Sequence, residues 1–363
     1  MDKSIPETMK ALVLPEAGKY EVKDGIPVPK PEPFEVLCRV RAVAICGSDP
    51  ELIHGGLAGY WPPSYPFIPG HEWAGEVVAV GEGVNALEVG DRVAGEAWKG
   101  CGHCDNCVAG HYNLCMNYGK PETGMKHYGF RNQGAYAQYN AYSVKSVHKM
   151  PETVSFQEGS LVDTAGVGAH GAELTGITRG GTVAVIGPGP IGILAMRTAR
   201  LMGASRIIAV GRGTRLEAAG RLAADDLIDF TKVDPVETVR ELTGGLGVDQ
   251  AFEASGAEGT FAQAVLMLRE GGAVGLLGVP PATVMEKIPF KHVCRNEIGI
   301  FGVKANPNVS DQVVSLIASG QLAVKDLITH VFPLEDFPEA LETFEKRKDG
   351  AVKVVIEPNG PEG

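Results

Sequence analysis

The chain has 363 residues, 44% of them hydrophobic, which is enough for two separate cores, and its formal charge of −11 argues against a nucleic-acid partner, whose backbone is bound by clustered Lys and Arg. No uninterrupted apolar run reaches bilayer-spanning length and the first residues lack a basic start followed by an apolar stretch, so no membrane partner and a cytoplasmic address are expected. Seven cysteines in a long Gly-rich chain fit a reducing compartment and thiolate–metal chemistry better than a disulfide scaffold.

From about Met9 to Phe156 the chain is dense in turns and β-type runs, among them Ala11–Leu14, Val36–Ala44 and Gly75–Val80, punctuated by Gly and Pro. This predicts an irregular β-rich domain. Within it, Cys101, Cys104, Cys107 and Cys115 follow C-x2-C-x2-C-x7-C, a spacing that can surround one ion tetrahedrally. Four sulfurs leave no position for water or substrate, so the predicted site is structural zinc; disulfides or chance crowding are the alternative. His103 and His111 read as bystanders once four thiolates are present, and the scattered Lys99, Lys120 and Lys126 do not make the basic face that a nucleic-acid zinc module needs.

Near Glu158 the texture changes to alternating strands and helices: a strand over Thr182–Ile186, a helix over Ile191–Met202, a strand over Arg206–Val210, a helix over Leu216–Ala224 and a later strand over Ala273–Leu277. That is the pattern of a parallel sheet wrapped by helices. From roughly Asn306 the chain adds a helix over Asp311–Ala318 and ends in a strand over Val352–Ile356. The fold class is therefore α/β, with a β-rich domain beside a doubly wound one.

The first of those later strands runs straight into Gly187-Pro-Gly-Pro-Ile-Gly192 and an apolar helix. Gly187 allows the tight turn, Gly189 lets backbone approach a pyrophosphate, and Gly192 lets helix and strand pack closely; Pro190 and Ile191 open the helix, whose N-terminus favours an anion. The next strand lacks the acid that a free ribose 2′-hydroxyl requires. Gly211 stands there instead, followed by Arg212 and Arg215, whose charge suits a 2′-phosphate, so NADP is favoured over NAD. The alternative is that both arginines are solvated surface.

Two smaller motifs gain meaning from this company: Cys46-Gly-Ser-Asp49 and Gly70-His-Glu72. The segment Gly70–Val84, taken with Cys46, the four-cysteine lobe and the fingerprint at Gly187, resembles the zinc-dependent medium-chain alcohol dehydrogenases, nearest to the sorbitol, threonine and secondary-alcohol branch, from Met9 to Ile356. The resemblance implies a GroES-like catalytic domain of residues 1–162 and 304–363 with a zinc lobe at about 98–120, and a Rossmann domain of residues 163–303. It implies Cys46, His71 and Asp163 as ligands of a catalytic zinc lying in the interdomain cleft, with Glu72 an exchangeable ligand or a neighbouring carboxylate. Asp49 would bond the zinc-bound histidine and fix its tautomer.

Ser48 would begin a proton relay, which many relatives finish with a histidine where this chain has Glu51; His54 matches another histidine of the family. Val167 is expected against the nicotinamide. Ser255, Leu277, Gly278 and Val279 are expected along the cofactor groove, with plain core packing as the alternative for each. Tyr60, Trp61, Trp98 and Tyr118 shape the pocket, the core or an oligomer contact, and Cys38 and Cys294 read as inert buried thiols.

The implied activity is zinc-dependent hydride transfer between a secondary alcohol, polyol or sugar-like hydroxyl, with its ketone, and NADP(H) or NAD(H). One catalytic and one structural zinc per chain are expected. A zinc-independent enone reductase on the same fold would have no use for Cys46, His71 and Asp163 together; a non-catalytic zinc- and dinucleotide-binding protein is the other alternative. Relatives of this branch make a homotetramer or homodimer the expected assembly, with Glu297–Phe301 a strand that could extend a sheet across subunits.

Overall fold

A computed structural model describes residues 5–281 and 283–361. The chain forms two compact units, residues 1–163 with 310–363, and residues 164–309.

In the first unit one sheet runs in the order Ile328–Pro333, Lys353–Glu357, Glu35–Ala44, Glu72–Val80, Arg92–Gly95, Val147–Lys149, with Tyr139–Ser143 also paired to Glu35–Ala44. The pairing of Ile328–Pro333 with Lys353–Glu357 is parallel and the rest are antiparallel. Alternating apolar residues feed a core built on Val36, Cys38, Val40, Trp73, Val77 and Tyr142, closed by Phe337 and Leu341 of the helix Phe337–Lys346. Three register pairs decide where the chemistry sits. Ala44 faces Glu72, while Val355 faces Ala44 and Ile356 faces Val43. The end of one strand and the starts of two others therefore meet, which brings Cys46, His71, Glu72 and Lys353 to one place.

The second unit is a six-stranded sheet, parallel throughout, in the order Asp226–Asp229, Arg206–Gly211, Thr182–Ile186, Val248–Glu253, Leu268–Leu276, Gly299–Gly302. Numbered along the chain this is 3-2-1-4-5-6, the doubly wound order whose direction reverses beside the first strand. Ala184, Ile186, Ile208, Val210, Ala251 and Val274 are buried, as continuous apolar strands covered on both faces must be.

The expected elements are present with ends shifted by a few residues: helices Pro190–Leu201, Gly213–Leu222 and Ser310–Ala318, and strands Glu35–Ala44, Arg206–Gly211 and Lys353–Glu357. The segment around Asp163 is the first turn of a helix, Val162–Thr175, whose small residues let it pack tightly; a side chain on Gly166 would meet Asn306, and one on Gly168 would meet the backbone of Ala195.

Candidate metal centres and cofactor turn

The sulfurs of Cys101, Cys104, Cys107 and Cys115 lie within 4.8 Å of one another, and all four cysteines are unbridged. Cys101 Sγ is 3.9 Å from Cys107 Sγ, and Cys104 Sγ is 4.0 Å from Cys115 Sγ. Amide donors surround the sulfurs: Asn117 Nδ2 donates to Cys101 Sγ at 3.4 Å and Cys101 N to Cys115 Sγ at 3.4 Å. Burial alone would raise the Cys101 thiol, but the backbone donors of His103 and Cys104 and the Asn117 side chain bring it down to about 5. Cys107 is pushed up to about 12, first by burial and then by the neighbouring thiols. A divalent ion resolves that crowding by taking the place of the proton. His103 points back to its own loop, with Nδ1 3.1 Å from Cys101 O.

A second group of donor atoms comes from Cys46, His71 and Glu72, again within 4.8 Å of one another. His71 and Glu72 are buried at the start of the strand Glu72–Val80, and Cys46 follows the strand Glu35–Ala44. Asp49 is wholly buried in the six-residue helix Ser48–Ile53. Its Oδ2 accepts from Cys46 N at 2.9 Å and from the Tyr136 hydroxyl at 2.7 Å, which leaves Oδ1 3.7 Å from His71 Nδ1. Neither Asp49 Oδ1 nor His71 Nδ1 has another hydrogen-bond partner, and the Ser48 hydroxyl oxygen is also buried without one.

Electrostatics make this group a cation site. Burial would lower His71, yet the charges of Cys46, Asp49 and Glu72 overcome it and hold the imidazole at about 10. Burial raises Asp163 to about 7, with Glu72 and Glu96 adding to the rise and His71 opposing it. Asp49 is likewise raised, chiefly by burial. A thiolate, an imidazole and carboxylates pressed together out of water are the donor set that zinc binds with three protein ligands and an open position. Asp163 lies in the electrostatic reach of His71 and Glu72 but outside their 4.8 Å group; its Oδ1 accepts from Ala97 N at 3.2 Å.

Lys353 is the residue that sequence reasoning missed. Its ammonium is 2% exposed, pairs with Glu72 Oε2 and donates to Ile45 O at 3.1 Å. The signal was a lone charge at the head of the apolar run Val352-Lys-Val-Val-Ile356. Tyr136 was missed as well, as was Phe130, whose ring lies 4.6 Å from that of His71 and 4.7 Å from that of Trp61. Trp61 Nε1 donates to the Tyr118 hydroxyl at 2.7 Å, and Trp98 stacks on His127. Tyr60 is exposed and tilts against Trp61. Glu51 is exposed, and His54 reaches outward to Glu345 at 2.7 Å.

In the second unit, Gly187 has φ +90° and Gly189 caps the helix that Pro190 and Ile191 open. A side chain on Gly192 would come 2.2 Å from Gly187 O, and one on Gly187 2.7 Å from Ser255 N. Only bare backbone fits this turn. Gly211 lies against the Pro188 ring, which a side chain there would strike at 2.5 Å. Arg212 is exposed, with its guanidinium 5.6 Å over the Phe230 ring, and Arg215 Nη1 is 3.5 Å from where a side chain on Gly189 would start. Arg215 thus stands beside the turn, and Arg212 follows the glycine packed on Pro188. Ser255 is exposed and bonds Glu253, Val279 is 89% exposed, Leu277 is buried, and Val167 is half-buried in its helix. A side chain on Gly278 would strike Gly256 N at 2.3 Å.

One expectation is corrected. Cys38 is fully buried, but Cys294 is exposed, because the short helix Phe290–Arg295 that carries it buries none of its six residues. Among the described residues no helix is long and apolar enough to cross a membrane.

Comparison with known proteins gives the family. Residues 32–152 match the alcohol dehydrogenase GroES-like domain, and residues 190–319 match the zinc-binding dehydrogenase domain. The chain is 34% identical to sorbitol dehydrogenase of Bacillus subtilis over 361 residues, 99% of this chain and 100% of that one. It is 35% identical to L-threonine 3-dehydrogenase of Symbiobacterium thermophilum over 359 residues, 97% and 99% of the two chains. Among solved structures, a protein from Sinorhizobium meliloti described as a zinc-binding dehydrogenase, bound to NADP, superposes with a TM-score of 0.89 at 30% identity, covering 97% of this chain and 100% of that one. The chain belongs to the zinc-dependent medium-chain alcohol dehydrogenases, a family of alcohol and polyol oxidoreductases.

Proposed function

We propose that the protein is a two-zinc dehydrogenase that interconverts a secondary alcohol, polyol or sugar-like hydroxyl with its ketone, using NADP(H) in preference to NAD(H). The observation that carries this reading is the group of half-buried Cys46 with buried His71 and Glu72, and Asp49 and Asp163 beside it. Cys46, His71 and Asp163 would hold the catalytic zinc, and the four cysteines of the lobe a structural one. The zinc supplies Lewis-acid polarisation of the substrate oxygen, and the nicotinamide accepts or returns the hydride.

The chain's own residues do the rest. Asp49, oriented by Tyr136 and Cys46 N, holds Oδ1 3.7 Å from His71 Nδ1, and a small approach of the two would let it accept the Nδ1 proton and leave Nε2 as the basic ring nitrogen for the metal. Lys353 pairs with one Glu72 oxygen while donating to Ile45 O, which suits Glu72 to be an exchangeable ligand or a neighbouring carboxylate. The unpartnered Ser48 hydroxyl is suited to receive the substrate proton in oxidation and return it in reduction. Phe130 and Trp61, in series from His71, give the substrate site an aromatic wall. Gly187 commits its N–H to Val210 O, so Gly189 and the start of the helix Pro190–Leu201 offer the N–H groups for a pyrophosphate, and Arg212 and Arg215 offer charge to a 2′-phosphate.

The test is a screen of secondary alcohols and polyols with NADP⁺ and NAD⁺ in parallel, followed by the absorbance of reduced nicotinamide, alongside metal analysis. Turnover with two zincs per chain and a higher kcat/KM for NADP⁺ is expected. No turnover in a chain that holds its metal and binds the dinucleotide would overturn the proposal.

A further inference from the structure

The chain leaves its first unit after Asp163 and returns to it at Ser310. Within that unit both points are tied to consecutive residues of one turn. Ala97 N donates to Asp163 Oδ1 at 3.2 Å, and the Ser310 hydroxyl donates to Glu96 Oε2 at 2.8 Å, both bonds buried. The turn is firm because it prolongs the strand Arg92–Gly95: Ala94 faces His148, Gly95 faces Val147, and Glu96 N donates to Ser146 O at 3.0 Å. A second link runs parallel to the first. His148 lies with Nε2 3.4 Å from Glu96 Oε2 and Nδ1 2.7 Å from Asp311 Oδ1, so both leading residues of the helix Ser310–Ala318 are held from the same side.

Glu96 is fully buried, and its other oxygen has no hydrogen-bond partner. A carboxylate in that setting is costly unless its contacts do something a neutral residue would not. Glu96 is near enough to raise Asp163 but is not among the donors grouped with Cys46, His71 and Glu72, so its role is sought in what it holds. What it holds, through Ser310 and through its neighbour Ala97, is the pair of chain crossings that bracket Asp163.

We propose that Glu96 is a positioning residue for the metal centre: with Ala97 it fixes the outgoing Asp163 and the returning Ser310 on one rigid turn, and thereby keeps the Asp163 carboxylate presented to the Cys46, His71 and Glu72 group. The inference rests on reading that group as a metal site. Its consequence is selective. Loosening the turn weakens metal retention there and leaves the four-cysteine site alone, because the sulfurs of that site are held by donors of their own loop, Asn117 and Cys101 N.

The variant Ser310→Ala removes one hydroxyl and leaves both the Glu96 charge and His148 in place. Zinc release from the holoenzyme to an excess chelator at neutral pH is followed in time, with a parallel cobalt-substituted sample to assign each phase by its thiolate absorption. In the variant the zinc of the mixed site is expected to leave about five- to tenfold faster, about 1–1.4 kcal/mol for one lost hydrogen bond, with the four-cysteine phase unchanged. Equal acceleration of both phases, or of neither, overturns the proposal. A wild-type chain holding a single zinc overturns the reading of the metal site, and this inference with it.

Discussion

Replacing Lys353 by Met removes the buried cation that faces Glu72 and keeps most of the side-chain volume. Lys353 and Glu72 are each 2% exposed, so water cannot take over the lost contacts. Truncating one partner of such a pair costs about 3–5 kcal/mol, because the remaining charge is stranded out of water. The Ile45 carbonyl also loses its lysine donor, adding about 1 kcal/mol. With roughly 2–4 °C of midpoint per kcal/mol for a domain of this size, thermal unfolding of zinc-saturated protein at one scan rate should fall by on the order of 10 °C. The double variant Lys353→Met with Glu72→Met strands no charge and should recover at least half of the loss, a coupling of about 2 kcal/mol or more. The reasoning is refuted if the single variant melts within about 2 °C of wild type, on the order of 1 kcal/mol or less, or if the two substitutions simply add.

Three further outcomes follow from the same contacts. Cys46→Ser should abolish turnover and remove one zinc per chain with little change in melting, whereas Cys107→Ser should remove the other zinc and mainly lower thermal stability; metal content and melting curves compared across the two variants check this. Arg212→Ala should weaken NADP⁺ about 10–100-fold while leaving NAD⁺ nearly unchanged, as loss of a charge-assisted phosphate contact of about 1.5–3 kcal/mol requires, and coenzyme titrations by nucleotide-dependent fluorescence would read it. His148 is opposed by burial but raised above its ordinary value by Glu96 and Asp311, the two charged groups that face it. Its stabilisation is therefore complete below the unfolded value of about 6.5 and lost as pH rises through the folded one. Wild type should exceed His148→Gln in midpoint most at pH 6 and progressively less towards pH 9, and a gap that widens with pH would contradict the assignment.

Much of the fold was legible because its signals are local. The apolar run Thr182–Ile186 followed by Gly187-Pro-Gly-Pro-Ile-Gly192 needs no distant partner to be read, and Gly187 stands at φ +90° with no room for a side chain on Gly192. The four cysteines are equally local. Cys46 and His71 are not, and they became readable only through motif resemblance, since antiparallel register between Ala44 and Glu72 is what joins them. Lys353, Tyr136 and Glu96 escaped altogether. Each acts across more than sixty positions of sequence, on Glu72, Asp49 and Ser310, and a buried ion pair or hydroxyl contact leaves no periodicity behind. Asp163 was named through the resemblance alone; it stands in the first turn of the helix Val162–Thr175, whose Gly166 and Gly168 are helical because they pack against Asn306 and Ala195.

The two groups of metal donors differ in a way that explains why one protein would need both. In the lobe, sulfurs are supplied within fifteen residues of chain and stabilised by nearby amides, so the site depends on its own loop and little else. In the mixed group the donors come from separate strands, and the carboxylates of Asp49, Glu72, Asp163 and Glu96 are drawn into one buried region, faced by Lys353, His71 and His148. That arrangement is poor for stability, since removing carboxylates from water costs more than packing apolar groups in their place. It is what a Lewis acid requires, because excess anionic charge binds a divalent ion while hard, partly committed oxygens leave it able to take one more ligand. The costlier site is the one whose parts are anchored from furthest away, by Lys353 on the last strand and Ser310 on the returning helix. A site assembled in this way persists only while the whole of its unit is folded, so the capacity for reaction and the integrity of that unit are lost together.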